Sequence, residues 1–160
     1  EKLFKKRERR KGPYLEQAAR SLESISRSAE ELKIKVGIEN RYYPEEIPSL
    51  EEIDMLLKRC SSPLVGYWHD VGHAQVRENL GFEKQEEYLQ RYEKRLVGMH
   101  IHDVILSRDH KAPLQGEFDF SRLKRFFRKD ILKVLEVRSP ATAEEIKKGL
   151  AYLNGMMALK

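Results

Sequence analysis

Four short strand-like runs recur along the chain, and each carries, at or next to its end, a residue that can hold a proton or a metal ion. They cover residues 34–39, 64–70, 96–103 and 131–137. Their centres repeat about every 30–35 residues, the period of βα units in a parallel sheet. Helical patterns fill the intervals. Residues 14–33 carry Leu15, Ala18, Ala19, Leu22, Ile25, Ala29 and Leu32 at helical spacing, and Pro13 after Gly12 predicts the start. Ser49 with Glu52, and Thr142 with Glu145, form capping boxes that open helices at about 50–59 and in the last stretch. A polar helix is expected at about 84–94 and a short amphipathic one at 120–127. Loops are expected from residue 71 through His73, and over 104–118.

Side chains two apart on a strand share a face. One face collects Gly37 and Glu39; Gly66, Trp68 and Asp70; Gly98, His100 and His102; Val134 and Glu136. The other collects Val36, Ile38, Val65, Tyr67, Val97, Met99, Ile101, Leu135 and Val137. Apolar residues on one face suit packing under helices. Small residues low on the other face, with polar ligands at the strand ends, suit the interior and mouth of an α/β fold of the (β/α)₈ TIM-barrel type. Such a barrel takes roughly 250 residues, and this chain has 160. The expectation is therefore the last four βα units, as a half-barrel or a fragment. Residues 1–33 would be a basic segment and the fourth barrel helix, and residues 34–160 the C-terminal half. An open sheet of this kind calls for completion by a second copy or by a missing N-terminal half.

Glu39, Asp70, His100 and Glu136 occupy the four strand ends. Three carboxylates and an imidazole suit a divalent cation, Mn²⁺, Mg²⁺, Co²⁺ or Zn²⁺. Without one, the carboxylates would repel each other. His73, His102, Asp103, Asp109 and His110 lie beside these ligands or on the loops that follow. They are candidates to orient ligands, bind substrate or hold a second metal. Trp68 faces inward, either as core or as an apolar wall of a substrate pocket. His69 faces the helices and is read as structural.

Composition narrows the setting. No apolar run approaches the ~18 residues of a membrane span, and no apolar segment follows the basic N-terminus as in a signal peptide. One cysteine, Cys60, fits a reducing cytoplasm. The net charge is +5, and residues 1–11 alone hold seven Lys/Arg against two Glu. That run reads as a solvated helix or loop face, with contact to the phosphate of a nucleic acid or small ligand as the alternative.

The motifs Gly37-Ile38-Glu39-Asn40, His69-Asp70-Val71-Gly72-His73-Ala74, Met99-His100-Ile101-His102-Asp103 and Val134-Leu135-Glu136 resemble the xylose isomerase-like TIM barrel superfamily. The stretch from Asp109-His110 to Phe120 is similar to the loop before that family's seventh helix. The resemblance implies a sugar or sugar-phosphate isomerase or epimerase. Glu39, Asp70, His100 and Glu136 would hold one divalent metal, and Glu39 and Glu136 would exchange protons beside a polarised carbonyl. His73 would contact substrate or a second metal. A second branch implies a zinc-dependent apurinic-site endonuclease of the endonuclease IV type, with nucleic acid as partner. That branch has an Asp-x-His pair where this chain has Asp109-His110 without a spacer. A third reading is a half-barrel that keeps its ligands but turns nothing over.

Overall fold

The apolar runs and helical stripes assemble into a four-stranded parallel sheet with helices on one face, in a computed structural model that describes residues 2–158. Residues 1, 159 and 160, which fall in the expected N-terminal segment and last helix, lie outside the described residues. The main elements are α1 (Lys2–Leu32), β1 (Val36–Glu39), α2 (Leu50–Arg59), β2 (Val65–Asp70), α3 (Val71–Asn79), α4 (Gln85–Tyr92), β3 (Leu96–Ile101), β4 (Asp103–Ile105), β5 (Arg108–Lys111), β6 (Leu132–Leu135) and α5 (Ala143–Ala158). Short 3₁₀ turns occupy Glu93–Arg95 and Phe120–Phe126. The sheet order is β1-β2-β3-β6, all parallel.

Gly37 pairs with Gly66, Asp70 with His100, and His100 with Val134. The register is staggered: Glu39 is level with Trp68 and Gly98, Asp70 with His100 and Val134, and Glu136 follows two residues beyond Val134. On the helix side, Tyr67, Met99 and Ile101 pack with Ile53, Leu89 and Leu123 in one buried core. On the other side Trp68 lies across its neighbours. A Cβ on Gly98 would come within 2.2 Å of the Trp68 ring, and one on Gly37 within 2.7 Å of Trp68 Cβ. The inner face of β6 is bare, with Leu132 62% and Val134 42% exposed. Among the described residues no strand pairs with the outer edge of β1 or β6. This is the open half-barrel that the strand count predicts.

Three elements depart from the sequence reading. The first helix does not start at Pro13 but runs through it from Lys2. An interior proline costs a backbone hydrogen bond. Here the turns before it are held from outside: the Glu52 carboxylate takes Arg7 at 2.6 Å and Lys11 at 3.0 Å. The stretch from residue 71 through His73, expected as loop, instead opens α3, which runs to Asn79. Its amphipathic signal is weak because Val71, Gly72, Ala74, Val76 and Arg77 are all buried. Residues 104–118 hold the β4–β5 hairpin, whose shape comes from one side chain. Asp103, almost fully buried, accepts backbone N–H groups from Val104, Leu114, Gly116 and Phe118 at 2.8–3.0 Å.

Candidate metal centre

The strand ends bring Glu39, Asp70, His100 and Glu136 to one place. His100 sits between the carboxylates. Its Nδ1 lies 2.7 Å from Glu39 Oε1, 3.1 Å from Glu136 Oε2 and 3.5 Å from Asp70 Oδ2. Glu39, Asp70 and His100 each offer one ligand atom within 4.8 Å of the other two. Glu136 joins them through His100 and also approaches His110 Nε2 at 3.4 Å. The Asp70 carboxylate raises the His100 pKa; burial works against it, Glu39 and Glu136 add to it, and the net is a rise to about 9. For Asp70 itself burial pushes upward, yet His100 and His102 hold it far below the ordinary carboxylate range.

Asp70 is fixed from several sides. Its Oδ1 accepts the backbone N–H of His73 at 2.7 Å and so caps α3. His102, fully buried, approaches the same oxygen through Nε2 at 3.0 Å. His102 Nδ1 accepts the His110 N–H at 2.8 Å, which leaves Nε2 as the protonated, donating nitrogen. Asn40 clasps the Asp70 backbone: Nδ2 donates to its carbonyl at 2.9 Å, and Oδ1 accepts its N–H at 2.8 Å. Asn40 stands in the Gly37-Ile38-Glu39-Asn40 motif, and its role there comes from this clasp. The available signal was its place directly after a strand-end ligand. Below, Tyr67 donates to Asn40 Oδ1 at 2.9 Å and lies 2.7 Å from His69 Nδ1. His69 Nε2 meets Gln85, and burial lowers the His69 pKa to about 4, so the ring is neutral and belongs to the helix-side packing.

A second group forms beside the first. His73, Asp109 and His110 also present ligand atoms within 4.8 Å of one another. His73 Nδ1 lies 3.0 Å from the Asn40 carbonyl, and its Nε2 lies 3.8 Å from Asp109 Oδ2. His110 has φ +57°, a backbone region that β-carbon-bearing residues seldom enter. That turn stacks its ring on His102, with centroids 4.2 Å apart and planes 11° apart. Trp68 stands edge-on to His100, centroids 5.0 Å apart. Arg41, Tyr42, Tyr43, Glu46 and Arg138 join His73, Asp109 and His110 around a cleft of about 260 Å³.

The donor set fits a divalent cation. Three carboxylates converge on one imidazole, an arrangement that a metal balances better than a single proton. The buried His110 Nδ1 lies 2.9 Å from Asp109 Oδ1 yet makes no aligned hydrogen bond, which leaves a nitrogen lone pair or proton to be satisfied.

A family model described as xylose isomerase-like TIM barrel matches residues 4–156. Several solved structures share the fold. A 3-keto-D-glucoside 4-epimerase from E. coli aligns with TM-score 0.68 and 21% identity over 88% of this chain and 53% of its own. A D-tagatose 3-epimerase-like protein aligns with TM-score 0.68 and 21% identity over 91% of this chain and 55% of its own. A xylose isomerase domain protein from Alicyclobacillus acidocaldarius aligns with TM-score 0.69 and 19% identity over 92% of this chain and 59% of its own. The chain thus spans little more than half the length of the structures it matches. No curated protein matches the sequence. No helix among the described residues is long and apolar enough to cross a membrane.

Proposed function

Because the chain belongs to the xylose isomerase-like TIM barrel family, we propose that it carries the metal and proton-transfer groups of a sugar isomerase or epimerase. The observation that carries this reading is the placement of Glu39 at the end of one outer strand and Glu136 directly after the other, both within 3.1 Å of His100 Nδ1. Glu39, Asp70, His100 and Glu136 would hold the cation. A divalent ion there supplies polarisation of a substrate carbonyl and stabilises negative charge developing on its oxygen. The two glutamates then have separate work. One removes a proton from the carbon beside the carbonyl, and the other returns a proton from the opposite side. Trp68 supplies an apolar wall next to His100, and the bare inner face of β6 leaves room for the half of the barrel that would close the pocket.

The proposed activity is tested by proton exchange. Incubated with Mn²⁺ and a panel of ketoses in D₂O, the chain, alone or with the rest of its barrel, should place solvent deuterium beside the carbonyl. A Glu136→Gln variant should lose that exchange. Equal exchange in the variant and the parent would remove Glu136 from the chemistry.

The group His73, Asp109 and His110 favours a second reading, a multinuclear zinc phosphodiesterase, in which several ions activate water and clamp a phosphate. One bound ion per chain supports the epimerase, and three zinc ions support the phosphodiesterase.

A further inference from the structure

The N-terminal half of α1 forms a cationic cleft that the metal centre does not use. Lower on the helix the stripe Leu15, Ala19, Leu22 is buried. Higher up, the same stripe continues as Lys11 and Arg7, which replace apolar contact with bonds to Glu52. Arg7 also donates to the carbonyls of Glu45 at 3.2 Å and Glu46 at 2.8 Å, tying α1 to the segment after β1. These bonds use up two cations and fix the cleft wall. Lys6 and Arg10 flank that stripe and line the same cleft, of about 670 Å³. Among the described residues neither has an ion-pair or hydrogen-bond partner. Across the cleft stands Arg41, 3.0 Å from Glu46 and 3.8 Å from Glu39. Arg41 also lines the cleft beside the metal centre, so it joins the two spaces.

We propose that this cleft binds the phosphate of a phosphorylated small molecule, with Lys6 and Arg10 as its main cations and Arg41 linking it to the metal centre. The inference deepens the isomerase or epimerase reading, on which it rests, by naming a sugar phosphate as the substrate class. Two unpaired cations on adjacent turns suit a dianionic phosphate, and charge-assisted hydrogen bonds give such contacts their strength. The space is bounded by Leu3, Tyr14 and Ile47 and is the size of a small-ligand pocket. A nucleic acid strand wants a longer basic track with successive aromatic platforms, and the acidic Glu45 and Glu46 interrupt such a track here.

The test titrates inorganic phosphate, ribose 5-phosphate, ribose and a single-stranded oligonucleotide into the full chain by calorimetry. Parent, Lys6→Ala, Arg10→Ala and Glu39→Gln proteins are compared, and Mn²⁺ binding is measured separately on each. Lys6 and Arg10 are exposed, so their variants should fold. The expected result is that ribose 5-phosphate binds more tightly than phosphate, and that each cation variant weakens both by about tenfold. Mn²⁺ binding should be unchanged in those two variants. Glu39→Gln should lose Mn²⁺ yet keep inorganic phosphate, so failure of the metal reading and failure of the phosphate site are read apart. Phosphate binding that is equal in the parent and both cation variants would overturn the site. Ribose 5-phosphate binding no tighter than phosphate would overturn the substrate class. An oligonucleotide that binds more tightly than ribose 5-phosphate, and loses that binding in the cation variants, would replace the proposal with a nucleic-acid surface.

Discussion

His100 Nδ1 and Glu39 Oε1 lie 2.7 Å apart, linking β3 to β1 across the intervening strand β2. The contact sets an imidazole among carboxylates, which favours its protonated form. Asp70 leads that effect, burial opposes it, and the His100 pKa stands at about 9 rather than 6.5. A raised pKa in the folded state adds stability below the unfolded value and loses it as pH climbs through the folded value. The metal-free chain should therefore lose melting temperature between about pH 6.5 and pH 9. Mn²⁺ affinity should rise over the same window, by up to about tenfold per pH unit, because the ligand nitrogen must give up its proton. Calorimetry across that range checks both. A melting temperature that climbs over the window would contradict the assignment of His100 as the proton holder.

His102 acts on the centre through Asp70. Removing its donor leaves a buried carboxylate oxygen with one partner fewer. His102→Ala should weaken metal binding by roughly 10–100-fold and destabilise the fold by about 2–4 kcal/mol. His102→Gln, which can still present an N–H, should recover part of the metal affinity. If His102→Ala lowers stability but leaves the metal dissociation constant unchanged, the residue serves only the packing.

Much of this was legible in the chain itself. Period-2 alternation in four runs puts Glu39, Asp70, His100 and Glu136 on one sheet face; the register pairs Asp70 with His100, and the longer side chains of Glu39 and Glu136 reach His100 from staggered positions. That works because strand geometry is local and repetitive. The features that were not legible depend on contacts between distant segments. Helix α1 runs past Pro13 because Glu52, on another helix, holds Arg7 and Lys11. Helix α3 hid because burial on several sides erased its stripe. Strand alternation gave His102 the same face as His100. It could not tell that the His110 N–H would take His102 Nδ1 and aim Nε2 at Asp70.

Asp103 shows how one side chain organises a loop. Its two oxygens accept four backbone N–H groups. Asp103→Asn keeps one acceptor oxygen but turns an NH₂ toward the donors served by the other. Two buried donors left unmet should cost roughly 2–4 kcal/mol. Urea denaturation measures it, and hydrogen exchange should show the amides of residues 114–118 losing protection first. A stability change under 0.5 kcal/mol, about the spread of ordinary surface substitutions, would contradict this role.

The most direct test of the central claim is metal stoichiometry. Equilibrium dialysis against Mn²⁺, with elemental analysis of the protein, should find one ion per chain in the parent. Glu136→Gln and Glu39→Gln should each reduce that occupancy sharply. A parent chain that binds no ion, or variants that bind as well as the parent, would contradict a metal centre built from Glu39, Asp70, His100 and Glu136.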